Sequence, residues 1–187
     1  MLLQVDGSFY IEHGSGRKGW YNARTRPDDA GKTDWLRSRV YRAESATERR
    51  VSHSRLRTAS AVLSRYLTAS VIDYIATSEE YVRWFGSTEL LVKFNHTLST
   101  SRAWAGCIEF SSRGGVDMFD IYHELAHHVT IRGGEPYHGE RFRGAMLLIA
   151  SLSPFVNHAH ILARQLDKEG LYPHNNKYLR RELFCAL

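Results

Sequence analysis

Apolar residues recur every three or four positions through much of the first half of the chain, as they do on the buried face of an α-helix. Between Arg55 and Ile75 the apolar positions are Leu56, Ala59, Leu63, Tyr66, Leu67, Val71, Tyr74 and Ile75. This spacing predicts an amphipathic helix over residues 55–75. Upstream, Asp34 can N-cap a helix that starts in WLRSRVYRAESATER. Downstream, Ser78 can cap a short helix, EEYVRWF, that ends at Gly86.

The middle of the chain changes to short segments that are rich in β-forming residues. Residues 89–95 (ELLVKFN) and 103–112 (AWAGCIEFSS) are bounded by Ser, Thr and Gly, which predicts two strands. After the turn residues RGG, Asp117 can N-cap a further helix, and Asp120 places a favourable charge near its positive end. The pair Gly133-Gly134 is expected to end that helix.

Two more helices are expected after the double glycine. GERFRGAMLLIASL has a strong apolar face, and Ser153-Pro154 separates it from PFVNHAHILARQLDKE, which ends at Gly170. The elements together predict an α+β fold with additional N- and C-terminal helices. We expect a basic arm or hairpin at residues 1–33, the domain at 34–170 and a C-terminal tail at 171–187.

Charge is distributed unevenly along the 187 residues. The net charge is +5; residues 1–60 hold 12 Lys and Arg against 7 Asp and Glu, whereas residues 61–187 hold 13 of each kind. The basic residues of segment 17–57 could therefore make a weak contact with nucleic acid phosphates, although a solvated helix face explains them as well.

The cysteine content and the absence of long apolar runs exclude several classes of protein. The two cysteines, Cys107 and Cys185, are too few for a four-cysteine zinc ribbon and predict no disulfide framework. No apolar run approaches the roughly 20 residues of a membrane span, and the N-terminus does not resemble a secretion signal. We therefore expect a cytoplasmic protein without a membrane contact.

The sequence DIYHELAHHVTIRGG contains the pattern His-Glu-x-x-His at His123, Glu124 and His127. Residues four apart lie one turn above each other on a helix, so both imidazoles can face one metal ion. Glu124 lies beside the first ligand, where its carboxylate can act as general base on a zinc-activated water. The pattern predicts a hydrolytic Zn²⁺ site.

A catalytic zinc site usually has three protein ligands and one open position. His138, eleven residues after His127 and beyond the glycine turn, is the main candidate for the third ligand. Glu135 and Glu140 are its rivals, and a site without metal is the remaining alternative.

Several residues near the pattern have two interpretations each. Tyr137 and Arg141 flank His138 and could stabilise the oxyanion of a transition state, although surface or packing roles explain them equally well. His128 is expected to be a solvent or outer-shell residue, because it lies off the ligand face. His158 and His160 are two positions apart and so point to different sides of a helix, which favours ordinary helix positions over a second metal site.

The segments HELAHH and YHGERFRGAM resemble the SprT-like zinc metalloproteases, in which the motif helix is followed by a His-Gly-x-x-aromatic element, here residues 138–142. The segments RSRVYRAE and YVRWFG and the motif helix are similar, more closely, to a small metallohydrolase family of actinobacteria and their phages. This likeness covers roughly residues 34–155. Many SprT-like proteins carry a C-terminal zinc ribbon for nucleic acid, and the two cysteines of this sequence are too few to form one.

The resemblance implies a zincin-like minimal metalloprotease domain, in which a small mixed sheet packs on the motif helix that begins at Asp117. The edge strand of that sheet would hold a peptide above the motif helix. It also implies His123, His127 and His138 as zinc ligands and Glu124 as general base, and therefore a metallopeptidase with a protein or peptide substrate. Two alternatives remain: a regulatory peptidase of phage or mobile-element type that cleaves one partner in the host cytoplasm, and a non-catalytic binding module stabilised by zinc.

Overall fold

The computed structural model describes residues 36–53, 63–86, 90–104, 106–113, 115–131, 138–155 and 157–174, together with the backbone of 2–3 and 9–11. Within these residues the chain is mixed α+β. The strands are β1 (Leu2–Leu3), β2 (Phe9–Ile11), β3 (Leu90–Asn95), β4 (Arg102–Trp104) and β5 (Cys107–Ser111). The helices are α1 (Arg37–His53), α2 (Arg65–Ala76), α3 (Glu79–Phe85), α4 (Met118–Thr130), α5 (Glu140–Leu152) and α6 (Asn157–Lys168).

The strands form one mixed sheet in the order β1-β2-β3-β5-β4. β3 and β5 are parallel, with Val92 opposite Ile108, whereas β4 is antiparallel to β5, with Ala103 opposite Ile108. β4 is therefore an edge strand of the described sheet, and it packs on α4. The expected small mixed sheet on the motif helix is confirmed.

The helices enclose a core on the other side of α4. α4 packs on α5, which also contacts α6, and α6 packs on α1. Fully buried side chains in this core include Ile121, Leu125, Leu147, Ile149 and Leu162. Burial of each such side chain contributes about 1.5–3 kcal/mol relative to exposure, so the motif helix is held from two sides.

The N-terminus of α4 has the cap that the sequence predicts. The Asp117 side chain accepts a hydrogen bond from the backbone N–H of Asp120 at 2.8 Å, and the Asp120 side chain accepts one from the N–H of Asp117 at 3.1 Å. This reciprocal capping box stabilises the first turn by satisfying backbone donors that the helix leaves unpaired. The predicted stop at 133–134 lies outside the described residues; α4 ends at Thr130.

The helix predicted over 55–75 differs from the structure in its start and in its buried face. Leu63 forms a β-bridge with Val116, and Ser64 then caps α2, which begins at Arg65; residues 54–62 lie outside the described part of the chain. The prediction assigned Tyr66 and Tyr74 to the buried face, but they are exposed. The buried face is instead Thr68, Ala69, Ile72, Ile75 and Ala76. Apolar residues lie on both sides of this helix, so periodicity alone could not choose the side that meets the core.

The strand predicted over 103–112 is two strands. The chain turns between Trp104 and Cys107, where Gly106 has a φ of 77°, and β5 runs back along β4. Glycine is suited to this turn because residues with a Cβ atom rarely adopt positive φ. The turn places the edge strand beside α4.

The last helix begins later than the sequence predicts. α6 starts at Asn157 and not at Pro154, and it is followed by Gly170 with a φ of 64°. Leu171 is buried in the core, whereas residues 175–187, 12–35 and 54–62 lie outside the described residues. The nucleic-acid contact of segment 17–57 therefore stays a prediction. None of the helices in the described part of the chain combines the length and apolar character needed to cross a membrane.

Candidate metal centre

Three histidine side chains, two from α4 and one from the residue before Gly139 at the start of α5, converge on one point. The Nε2 atom of His123 lies 3.1 Å from Nε2 of His127 and 3.3 Å from Nε2 of His138. All three ligand atoms lie within 4.8 Å of one another, and they form the one group of three or more His, Cys, Asp or Glu residues in the described ranges that could hold a metal ion. The buried His123, His127 and His138 group could therefore hold a metal.

The spacing of the nitrogens matches what a metal requires. Two nitrogen ligands, each about 2.0–2.1 Å from a tetrahedral ion, lie about 3.3–3.4 Å apart. Hydrogen bonds among the three rings explain the distances less well. Nε2 of a neutral His123 whose proton is on Nδ1 has a single lone pair, which cannot align with N–H groups of both His127 and His138. A cation at their common point interacts with all three.

The first imidazole is oriented by a carboxylate from another helix. Oε1 of Glu44, on α1, lies 2.6 Å from Nδ1 of His123, and both side chains are buried. Nδ1–H therefore donates to the carboxylate, which leaves Nε2 as the acceptor that faces the other histidines. Carboxylates that hold a ligating histidine in this way fix its tautomer and raise its basicity.

Charge and burial set the pKa values of the histidines. Burial acts to lower the pKa of His123, but the charge and the hydrogen bond of Glu44 outweigh it, and the pKa is raised. The pKa of His127 falls well below its usual value because the ring is buried and lies beside His123 and His138. A neutral His127 is the form that can bind a metal.

Phe142 of α5 packs against all three imidazoles. Its ring centroid lies 4.4 Å from that of His127, 4.7 Å from His138 and 5.0 Å from His123. Tyr41 of α1 stacks on His123 at 5.2 Å. These contacts limit the rotation of the rings and keep their nitrogens directed to one point.

His138 is also held through its backbone. The buried guanidinium of Arg143 donates from Nη1 to the His138 carbonyl oxygen at 2.7 Å and from Nε to the Leu171 carbonyl oxygen at 2.7 Å. A ligand that follows a long connection is thereby fixed to α5 and to the chain after α6. The five donors of a guanidinium allow one side chain to make both bonds.

Glu124 follows His123 on α4, and its side chain is buried beside the histidines. The side chain is 6% exposed, and its Oε2 has no hydrogen-bond partner among the described residues. Burial raises its pKa to about 7, with further increases from Asp120 and Glu44 and an opposing effect of His123. A buried carboxylate without a partner is costly, which indicates a function at this position. A pKa near neutrality suits a general base.

The sequence suggested four further residues as ligands or oxyanion stabilisers. Tyr137 and Glu135 lie outside the described residues, and Arg141 is an exposed residue of α5. Glu140, in the first turn of α5, does not belong to the convergent group. The oxyanion role of Tyr137 and Arg141 stays a prediction.

His128 and His158 are more enclosed than the sequence suggests. His128 is buried, and its Nδ1 lies 3.2 Å from the Trp104 carbonyl oxygen, so it connects the motif helix to the edge strand and does not face solvent. His158 is buried among aromatic residues, as an ordinary core residue would be.

Sequence reasoning missed Glu44, Tyr41, Phe142 and Arg143. One signal for Glu44 was present: it follows Val40 by four positions and Ala43 by one, on the apolar stripe of α1. A carboxylate on a buried stripe is rarely left without a partner. Nothing in the sequence indicated which residue that partner would be, because His123 is 79 positions away.

Comparisons with known proteins add no family assignment: no family model, no curated protein and no solved structure matches the chain.

Proposed function

We propose that the protein is a zinc-dependent metallohydrolase, and more narrowly a metallopeptidase of zincin-like fold. The observation that carries the proposal is the convergence of three imidazole nitrogens beside the buried Glu124, whose Oε2 has no hydrogen-bond partner among the described residues. Histidine nitrogens with such spacing are typical ligands of zinc, and three protein ligands leave one coordination position for chemistry.

The proposed metal would polarise a substrate carbonyl and lower the pKa of water toward about 7. The chain's own residues have separate tasks. Glu124 accepts the proton of the attacking water and passes it to the leaving amine. Glu44 keeps His123 in the tautomer that presents Nε2. Phe142 covers the rings and limits the access of bulk water to them.

A peptide is favoured as substrate because of the strand beside the motif helix. β4 lies at the edge of the described sheet and packs on α4, and His128 joins the two elements. An extended peptide can add to such an edge through main-chain hydrogen bonds, which places its carbonyl groups above the helix. The resemblance to SprT-like proteases points to the same arrangement.

The Glu124 carboxylate also favours catalysis over a purely structural zinc site. A structural site contains ligands in a closed shell and requires no base. A buried carboxylate with an unpaired oxygen costs free energy and contributes nothing to such a site.

The test is to purify the full chain and to measure its metal content and its hydrolysis of unfolded casein. We expect about one zinc per chain, and hydrolysis that stops with a chelator and returns when Zn²⁺ is added. Zinc-loaded protein that leaves casein intact but cleaves one partner would favour the regulatory peptidase. Protein that binds no zinc at micromolar concentration would contradict the proposal.

A further inference from the structure

An open cleft of about 350 Å³ extends from the candidate metal centre. One face of α1 and the first turns of α4 form its walls, and the segment 99–101 lies opposite. His123 and Glu124 line the cleft, whereas His127 and His138 do not, so the cleft adjoins the metal centre on the side of His123 that bears Glu44.

The cleft is strongly acidic. Of the described residues that line it, five are carboxylates and none is Lys or Arg. The acidic residues are Glu44, Glu48, Asp117, Asp120 and Glu124. Their formal charge is −5 when all are ionised, and a divalent metal would reduce it to −3. Because the cleft is partly shielded from water, this field extends further than it would at an open surface.

Two of the carboxylates lie at the end that is remote from the histidines. Glu44 touches His123, and Glu48 is one turn further along α1, about 6 Å away. Asp117 precedes His123 by six positions on α4, about 9 Å along the helix axis. Glu48 and Asp117 both line the cleft, and burial and then the charge of Asp117 raise the pKa of Glu48.

The arrangement does not fit a second bound metal ion. Among the described residues, the carboxylates of the cleft do not come together as a coordinating group, and the three histidines alone do so. A divalent ion needs several oxygens within about 2.0–2.6 Å. Dispersed negative charge is suited to a cation with a flexible stem, which can lie between carboxylates without close coordination.

Glu124 indicates independently that the cleft receives a ligand. Its side chain is 6% exposed, it lines the cleft, and its Oε2 has no hydrogen-bond partner within the described residues. Glu124 therefore belongs both to the lining of the cleft and to the surroundings of the metal centre.

We propose that the acidic cleft binds a lysine or arginine side chain of the substrate, at a position next to the bond that is cut. This inference rests on the proposed peptidase function and specifies its substrate class. With the scissile carbonyl at the histidines, the neighbouring Cα lies within one residue's length of about 3.5 Å. The four-carbon stem of lysine or the longer side chain of arginine then reaches Glu48 and Asp117.

The experiment uses the full-length, zinc-loaded chain and a random library of N-acetylated peptides, with cleavage sites identified by mass spectrometry. Acetylation removes the amino terminus as a source of positive charge. We expect Lys and Arg to be enriched beside the cut about tenfold over neutral residues of similar size, because two or more partly buried carboxylates contribute. Raising the salt concentration should reduce the enrichment.

Variants then assign the preference to the cleft. Glu48→Gln with Asp117→Asn removes two charges, and Asn at 117 can still cap α4. The ratio of kcat/KM for a lysine peptide to that for its norleucine counterpart should fall about tenfold. Glu48→Gln alone should lower the ratio by a smaller factor, which preserves the test if the double variant does not fold. The control Glu79→Gln/Asp167→Asn removes two charges outside the cleft and should leave the ratio unchanged.

The results separate the two proposals. Cleavage without enrichment of Lys or Arg, or enrichment that persists in the double variant, would overturn the cleft inference and leave the peptidase function intact. If zinc-loaded protein cuts no peptide, the peptidase function fails, and binding of fluorescent lysine and norleucine peptides tests the cleft. Tighter binding of the lysine peptide that Glu48→Gln weakens would support the acidic cleft, whereas equal binding would overturn it.

Discussion

The core contains a group of three histidines and, separately, the single buried His158, and the polar contacts of the two differ. In one group, His123, His127 and His138 direct like atoms toward a common point, at 3.1 and 3.3 Å from His123 Nε2. In the other, His158 stacks on Phe119 and Phe155, with centroid distances of 5.2 Å to each.

Nδ1 of His158 has its hydrogen-bond partner within the protein. Ser153 donates to the Ala150 carbonyl oxygen at 2.9 Å, and Tyr122 donates to Ser153 Oγ at 2.7 Å. The Tyr122 oxygen, 3.0 Å from Nδ1 of His158, is then the acceptor for the Nδ1–H group. This chain of hydrogen bonds ends at a neutral imidazole, and burial accordingly lowers the pKa of His158 to about 4.

The comparison teaches that burial alone does not identify a functional histidine. His158 is buried at 2% exposure and has ordinary core partners. The three convergent histidines are distinguished by Nε2 atoms that converge within 4.8 Å of one another, and by the neighbouring Glu124 Oε2, which has no hydrogen-bond partner among the described residues. Four predictions test this distinction, from the largest expected effect to the smallest.

The largest effect is expected at the carboxylate that only the convergent group possesses. Glu124→Gln keeps the shape of the side chain but removes the base, so hydrolysis should fall about 10²–10⁴-fold. Zinc content, measured by atomic emission, should stay at the wild-type level. Glu79→Gln, the same change on the exposed start of α3, is the control and should leave both unchanged. Wild-type turnover in Glu124→Gln would remove Glu124 from the proposed mechanism.

The second prediction compares alanine substitutions at a proposed ligand, His138, and at the core residue His158. His138→Ala removes a proposed ligand and should weaken zinc binding by at least the 10–100-fold that outer-shell changes typically cause. His158→Ala should leave zinc binding unchanged and reduce the free energy of unfolding by about 2–4 kcal/mol, since it opens a cavity among aromatic rings. Competition with a chromophoric chelator and urea denaturation measure the two effects. Equal zinc affinity in both variants would contradict the ligand set.

Glu44 tests whether the orientation of the convergent group matters. Glu44→Gln retains an acceptor near His123 Nδ1 but removes the charge, so zinc affinity should fall about 10–100-fold. Glu48→Gln makes the same change one turn further along α1 and should not alter zinc affinity. If the two variants bind zinc equally, the short Glu44–His123 contact does not support the metal.

The smallest effect is the contribution of His158 to the pH dependence of the free energy of unfolding. An unfolded histidine takes up a proton near pH 6.5, whereas folded His158 resists protonation until about pH 4. Between these values the unfolded state binds more protons, so His158 makes the free energy of unfolding fall with falling pH, by at most about 1.4 kcal/mol for each pH unit. His158→Phe should lose this component. Urea denaturation of both metal-free proteins between pH 4 and 7 measures it, and parallel curves would show that His158 does not contribute.

Local patterns predicted several elements because their causes are local. The Asp117 cap, the α4 helix that follows it and the Gly170 end of the last helix depend on neighbours within a few residues. The buried face of α2 was wrong because packing against distant segments selects it. The start of α2 was wrong although its cause is local, since the Ser64 side chain caps the helix and apolar spacing does not register a cap.

The same division applies to the candidate site. His123, Glu124 and His127 are related by helical spacing alone, so the pattern was readable in the sequence. His138 required a chain reversal, which the sequence could favour over Glu140 but not establish. Glu44, Tyr41 and Phe142 come from helices that are distant in sequence, and no local rule connects them to the motif.

The sequence by itself determined that two imidazoles and a carboxylate share one stretch of helix, because a turn of 3.6 residues places them there irrespective of the remainder of the chain. The tertiary structure alone decided that a third imidazole meets the first two, that Glu44 orients His123, and that an acidic cleft opens beside Glu124. These relations depend on how α1, α4 and α5 pack, and packing is set by the whole core and not by any one segment.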